Sequence, residues 1–239
     1  MLYWILLPLA GHIHAFNLIR YISFRAGGAC LTALVISFWL GPRLIRQLRA
    51  MQRHGQPIRT DGPERHLIEK KGTPTMGGTL ILLALGASTL LWADLSNGYV
   101  WATLMVTFGY GAIGFADDFL KLTKRNTKGV SGRVRLLGEA AIGLIAALWM
   151  THLMPHAIAD GVAVPFLKNF LIPLGFMFPI FGLLVMMGSA NAVNFTDGLD
   201  GLATVPTMIA AAVFGLIAYL VGNRIFAGYL EIHFIPGVG

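Results

Sequence analysis

Charge is what this chain has least of. Asp, Glu, Lys and Arg make up 12% of the residues, against about 25% in soluble domains. Apolar residues make up 56%, and the mean hydropathy is +0.69. This excludes an ordinary water-soluble domain and points to an integral membrane protein. Cysteine is nearly absent: Cys30 stands alone inside an apolar run, so neither a disulfide framework nor a cysteine metal site is expected. The start, MLYWILLPLAGHIHAF, lacks a basic leader and a small-residue cleavage site. It reads as a short interfacial segment with Tyr3 and Trp4 at headgroup level. No strand alternation, coiled-coil repeat or Walker-loop spacing is present. The net charge of +7 does not imply a nucleic-acid partner, because the basic residues fall between apolar runs, where a membrane protein needs them.

What is there is a series of six apolar runs, roughly Phe24–Leu40, Met76–Trp92, Tyr99–Phe115, Leu136–Leu153, Phe170–Ala190 and Leu202–Val221. Each is long enough, as helix, to cross the ~30 Å hydrocarbon core. The expected fold is therefore all-α, a polytopic bundle of about six transmembrane helices forming a single membrane domain over residues 1–239. Pro173 and Pro179 are expected to interrupt the fifth span. Fourteen of the 18 Lys and Arg lie between runs one and two or between runs three and four. The positive-inside rule makes those loops cytoplasmic and puts both chain ends on the opposite side.

Three polar motifs then fall on that same cytoplasmic side: KKGTPTMGG (70–78), ADDFLKL (116–122) and NAVNFTDGLDG (191–201). Independent turns would be expected on both sides, so the shared side implies one site built from three loops. Asp117 and Asp118 close the third span, where the helix dipole is negative and adjacent carboxylates need a cation. Lys121 and Lys124 could supply it, or a divalent metal such as Mg²⁺, which suits one or two carboxylates completed by phosphate and water. KKGTPTMGG places Pro74 near a helix start, with Thr73 or Thr75 as an ordinary cap. Its lysines, glycines and free helical N–H groups equally suit a phosphate. In NAVNFTDGLDG, Asp200 could simply cap the next helix. If the stretch is helical, Asn194, Asp197 and Asp200 share a face able to bind a base, ribose, sugar or metal. The histidines are assigned no role.

GPERHLIEKKGTPTMGG, GFADDFLK and NAVNFTDGLDGLA resemble the polyprenyl-phosphate N-acetylhexosamine-1-phosphate transferase superfamily, in particular its bacterial phospho-N-acetylmuramoyl-pentapeptide transferase branch. The resemblance runs from about Phe24 to the end. It implies Mg²⁺-dependent transfer of phospho-N-acetylmuramoyl-pentapeptide from UDP to undecaprenyl phosphate, giving lipid I and UMP in peptidoglycan synthesis. It places Asp117, Asp118 and Lys121 at the catalytic centre, with Asp117 and Asp118 as the metal-ligand candidates: one deprotonates or positions the lipid phosphate, the other helps hold the metal, and the resemblance does not say which. It lines the uridine and sugar-phosphate pocket with Lys70, Thr75, Asn194, Asp197 and Asp200. It also implies a multi-pass protein of the bacterial inner membrane, with cytoplasmic active-site loops and a homodimer. The superfamily pattern continues to a further aspartate motif that supplies a metal ligand and to a histidine-rich loop, neither of which is in these residues. The expectation is a partial chain, lacking the C-terminal third and nearly inactive alone. The alternatives are a relative transferring N-acetylglucosamine phosphate, an anion transporter, or a structural membrane fragment without chemistry.

Overall fold

A computed structural model describes residues 1–52, 75–124, 129–164, 167, 170–197 and 201–239. The described chain is mainly helical. It comprises α1 (Leu2–Leu9), α2 (Ile22–Met51), α3 (Gly78–Trp92), α4 (Gly98–Lys124), α5 (Gly132–Leu153), α6 (Phe178–Thr196), α7 (Thr204–Gly222) and α8 (Arg224–Leu230). Short 3₁₀ turns cover His14–Arg20 and Gly175–Met177. Five helices are long and apolar enough to cross a membrane, and the protein is a multi-pass membrane protein.

The helices differ from the apolar runs in instructive ways. α2 has 30 residues and α4 has 27, about 45 and 40 Å of helix. Both outrun the hydrocarbon core, so they carry polar ends. Arg43, Arg46 and Arg49 ride on α2, and Lys121 and Lys124 on α4. α2 continues through Pro42, whose ring removes one ladder bond. Just after it, Arg43 donates to the Trp39 carbonyl at 2.6 Å and Arg46 to the Pro42 carbonyl at 3.2 Å. α3 is the short one, at 15 residues or about 22 Å. The fifth run is not interrupted by proline as expected. Pro173 ends a small strand, and Pro179 sits in the first turn of α6, where its missing N–H costs nothing. The stretch before α6 instead forms an antiparallel hairpin of Gly161–Ala163 with Leu171–Pro173.

The chain divides into two compact units. The first contains Met1–Ser96 and Thr107–Gly138. It is stitched by glycines that admit large side chains, as membrane helices pack. A Cβ at Gly28 would sit 2.6 Å from the Trp92 ring, and one at Gly41 would sit 3.3 Å from Leu80, so α2 and α3 run antiparallel. Trp92 donates its indole N–H to Thr32 Oγ1 at 2.9 Å across the same seam. Gly86 receives Phe108, and Gly111 receives Leu82, which brings α4 against α3.

The second unit contains Asn97–Val106 and Glu139–Gly239. There Tyr99 donates its hydroxyl to the Leu153 carbonyl at 2.9 Å, and Gly182 packs on Ala147. The Asn223 side chain accepts from the amides of Ile225 and Phe226 and so caps α8. α7 buries none of its residues. Its all-round apolar surface is what lipid contact calls for.

Candidate active site

The aspartate pair lies in the first unit, about two turns before the end of α4 rather than at its terminus. The dipole penalty is confined to the last turn, and that turn carries Lys121 and Lys124. The two carboxylates share Lys121 but have different further partners. Asp117 pairs with Lys121 one turn on and accepts from the Val130 N–H at 2.7 Å. The Arg135 guanidinium adds positive field there. Asp118 Oδ2 accepts from Thr75 Oγ1 at 2.9 Å, and its Oδ1 is 3.9 Å from the Lys121 ammonium.

Gly129 makes the Asp117 arrangement possible. Its φ is +56°, and a Cβ there would collide with Asp117 Oδ1 and crowd Lys121. Glycine is required both for the left-handed turn and for the close approach. Val130, the next residue, can then present its N–H to the carboxylate.

Thr75 does not cap α3. The N-cap is Gly77, without a side-chain bond. Instead Gln52, the C-cap of α2, clasps the Thr75 backbone: Oε1 accepts from Thr75 N–H at 2.9 Å and Nε2 donates to Thr75 C=O at 3.2 Å. The following residue, Met76, has φ +72°. A left-handed conformation costs an L-residue about 1–2 kcal/mol. The surroundings hold it: Gln52 fixes the residue before, and the Thr79 amide donates to the Met76 carbonyl at 3.1 Å.

The third motif lies in the second unit. Asn194 is on α6, but the helix ends at Thr196 and Asp197 is its C-cap, with ψ +48°. Asn194 therefore lies on the helix and Asp197 at its cap, while Asp200, the third residue of the expected common face, lies outside the described residues. Asn194 and Asp197 are exposed. Lys70 and Asp200 lie outside the described residues, as do Thr73 and Pro74. The next helix, α7, has Ala203 as its N-cap. The better-held residue of this motif is Asn191. Its amide donates to Glu139 Oε2 at 2.6 Å and to the Met187 carbonyl at 2.9 Å. Glu139 is 3% exposed.

Gln52, Gly129 and Glu139 carry no motif signal that marks them in advance. Only Glu139 could have been found, as an acidic residue within an apolar run. Among the described residues no three acidic, histidine or cysteine side chains converge as a metal cluster. The acidic groups on the α4 face are the two adjacent carboxylates.

The sequence profile of glycosyl transferase family 4 matches residues 100–236, more than half of the chain. The chain belongs to that family. A second match, the phospho-N-acetylmuramoyl-pentapeptide-transferase signature 1, covers residues 70–82 and so includes Thr75. The family 4 match spans Asp117, Asp118, Lys121, Asn194, Asp197 and Asp200. Three relatives are named phospho-N-acetylmuramoyl-pentapeptide-transferase. That of Granulibacter bethesdensis is 66% identical over 239 residues, which is 100% of this chain and 66% of the relative. That of Gluconacetobacter diazotrophicus is 63% identical over 96% of this chain and 63% of its own length. That of Maricaulis maris is 54% identical over 100% of this chain and 66% of its own length. This family 4 chain thus spans slightly less than two thirds of the relatives it matches.

Proposed function

We propose that the protein transfers phospho-N-acetylmuramoyl-pentapeptide from its UDP-activated form to undecaprenyl phosphate, releasing UMP and forming lipid I. The observation that carries the proposal is the hydrogen bond from Thr75 to Asp118. It ties the segment matched by the pentapeptide-transferase signature to the acidic face of α4, and relatives bearing that activity's name match along nearly all of this chain.

In this reading an oxygen of the lipid phosphate bonds to the β-phosphorus of the nucleotide as the bond from that phosphorus to the UMP oxygen breaks. A phosphate monoester is largely ionised near neutrality, so no strong base is needed to make the nucleophile. In-line phosphoryl transfer relies mainly on positioning and charge neutralisation. Lys121 offsets negative charge beside both aspartates. Asn194, Asp197 and Asp200, with Lys70, bind the uridine and sugar-phosphate portion.

The donor set fits Mg²⁺. Asp117 and Asp118 are neighbouring carboxylates, and Mg²⁺ uses one or two carboxylates with substrate phosphate and water. Asp118 would be the principal protein ligand, because Asp117 is already engaged by Lys121 and Val130. Bound there, the ion would neutralise phosphate charge. The motif-bearing ends face the cytoplasm of a bacterial inner membrane, where the soluble nucleotide is made available, and the lipid acceptor arrives through the bilayer.

The test follows UMP release by the detergent-solubilised protein, expressed to the natural stop codon of its gene, with undecaprenyl phosphate and Mg²⁺. Release with UDP-N-acetylmuramoyl-pentapeptide and not with UDP-N-acetylglucosamine is expected. Release with the second donor alone assigns the sister reaction instead, and release with neither overturns the enzyme reading.

A further inference from the structure

We propose that Gln52 is a positioning residue for Asp118, acting through Thr75. The proposal rests on the transfer reading above and adds a residue that no motif contains. Gln52 ends α2, where its own N–H still donates to the Leu48 carbonyl at 2.8 Å. Its backbone is therefore anchored to a 30-residue helix. The side-chain amide has one acceptor oxygen and two donor hydrogens. Here the oxygen and the nitrogen each bond the backbone of a single residue, Thr75, 23 positions away.

That is the two-bond pattern by which an antiparallel strand grips a residue directly opposite, made by a side chain where no strand exists. It fixes both the position and the plane of the Thr75 backbone. The hydroxyl of Thr75 is then aimed at Asp118 Oδ2. Met76 holds its left-handed backbone immediately afterwards, before α3 begins at Gly78. Backbone in such a conformation persists only where its neighbours over-determine it. Without the clasp, Met76 can relax, Thr75 can turn, and Asp118 loses the donor that orients it. The hydrogen-bonded path from Gln52 to Asp118 passes through one threonine.

The test is a double-mutant cycle with Gln52→Ala, Thr75→Val and the double variant, in the protein expressed to its natural stop codon. Gln52→Ala is expected to lower kcat for UMP release ~10-fold, since small misplacements of catalytic groups are costly. KM for the nucleotide donor should stay within ~2-fold. The double variant should be no slower than Thr75→Val, because residues acting through one another are not additive. Additive losses, or a change in KM alone, would overturn the proposal. Gln52→Glu keeps the acceptor and loses the donor. It should fall between wild type and Gln52→Ala, and it replaces the alanine variant in the cycle if that variant does not fold. Hydrogen exchange in the peptide containing Thr75, measured without substrate, should quicken in Gln52→Ala, and unchanged exchange would also overturn the clasp. A wild-type protein that releases no UMP from any donor would sink the reaction reading instead, leaving exchange to decide the role of Gln52.

Discussion

Asp117 and Asp118 differ from Asn194 and Asp197 in what satisfies them. The first pair is met by the protein itself: an ammonium, a backbone N–H and a threonine hydroxyl. The second pair is exposed at and beyond the end of α6. Asp197 even sits at a helix C-terminus, where a negative charge is unfavourable. Groups already held in place are suited to act on developing charge, because their orientation cost is met during folding. Groups left to water are suited to bind a ligand that completes them. Under the proposed function the two regions divide between chemistry and recognition.

Substitutions can break that division or sharpen it. The largest effect is expected for Asp118→Ala, a loss of ~10³-fold in kcat, the scale of removing a preorganised electrostatic group, with the detergent-solubilised protein still monodisperse. Gly129→Ala should follow at ~10²-fold, since a misplacement of about 1 Å costs that much and the added methyl displaces Asp117. Asp197→Asn should act on the other side of the comparison: KM for the nucleotide donor rises ~10-fold while kcat stays within ~2-fold, the pattern of lost uniform binding. If Asp197→Asn instead lowers kcat alone, the division fails. Glu139→Gln should show mainly in stability. Losing a charge-assisted bond to Asn191 costs about 1–3 kcal/mol, or several degrees in Tm by thermal scanning. Thr75→Ser keeps the hydroxyl, and its UMP release should stay within ~2-fold of wild type.

The spans were legible because apolar runs of this length belong in a bilayer and in few other places. Their ends were not, because hydropathy reports the thickness of the bilayer rather than the length of the helix. Arg43, Arg46 and Arg49 read as loop residues, yet they continue α2 beyond Pro42. Asp117 and Asp118 read as the close of a span, yet α4 runs on to Lys124. Within the site, the pairing of Asp117 with Lys121 follows from helical spacing alone. The bond from Thr75 to Asp118 joins residues 43 positions apart. Sequence order could place both at one membrane face but could not bring them into contact. Gln52 was illegible for the same reason, and Gly129 because nothing local distinguishes a glycine that admits a carboxylate from one that merely turns the chain.

The Gln52–Thr75 clasp has a consequence in polymer terms. It pins together the two ends of the segment between them, 23 positions apart. Closing a loop costs entropy that grows only logarithmically with length, about 0.6 kcal/mol for each doubling. Gln52 closes α2 and Thr75 precedes α3, so one side chain joins the end of one helix to the approach of the next and offsets that closure cost with two hydrogen bonds.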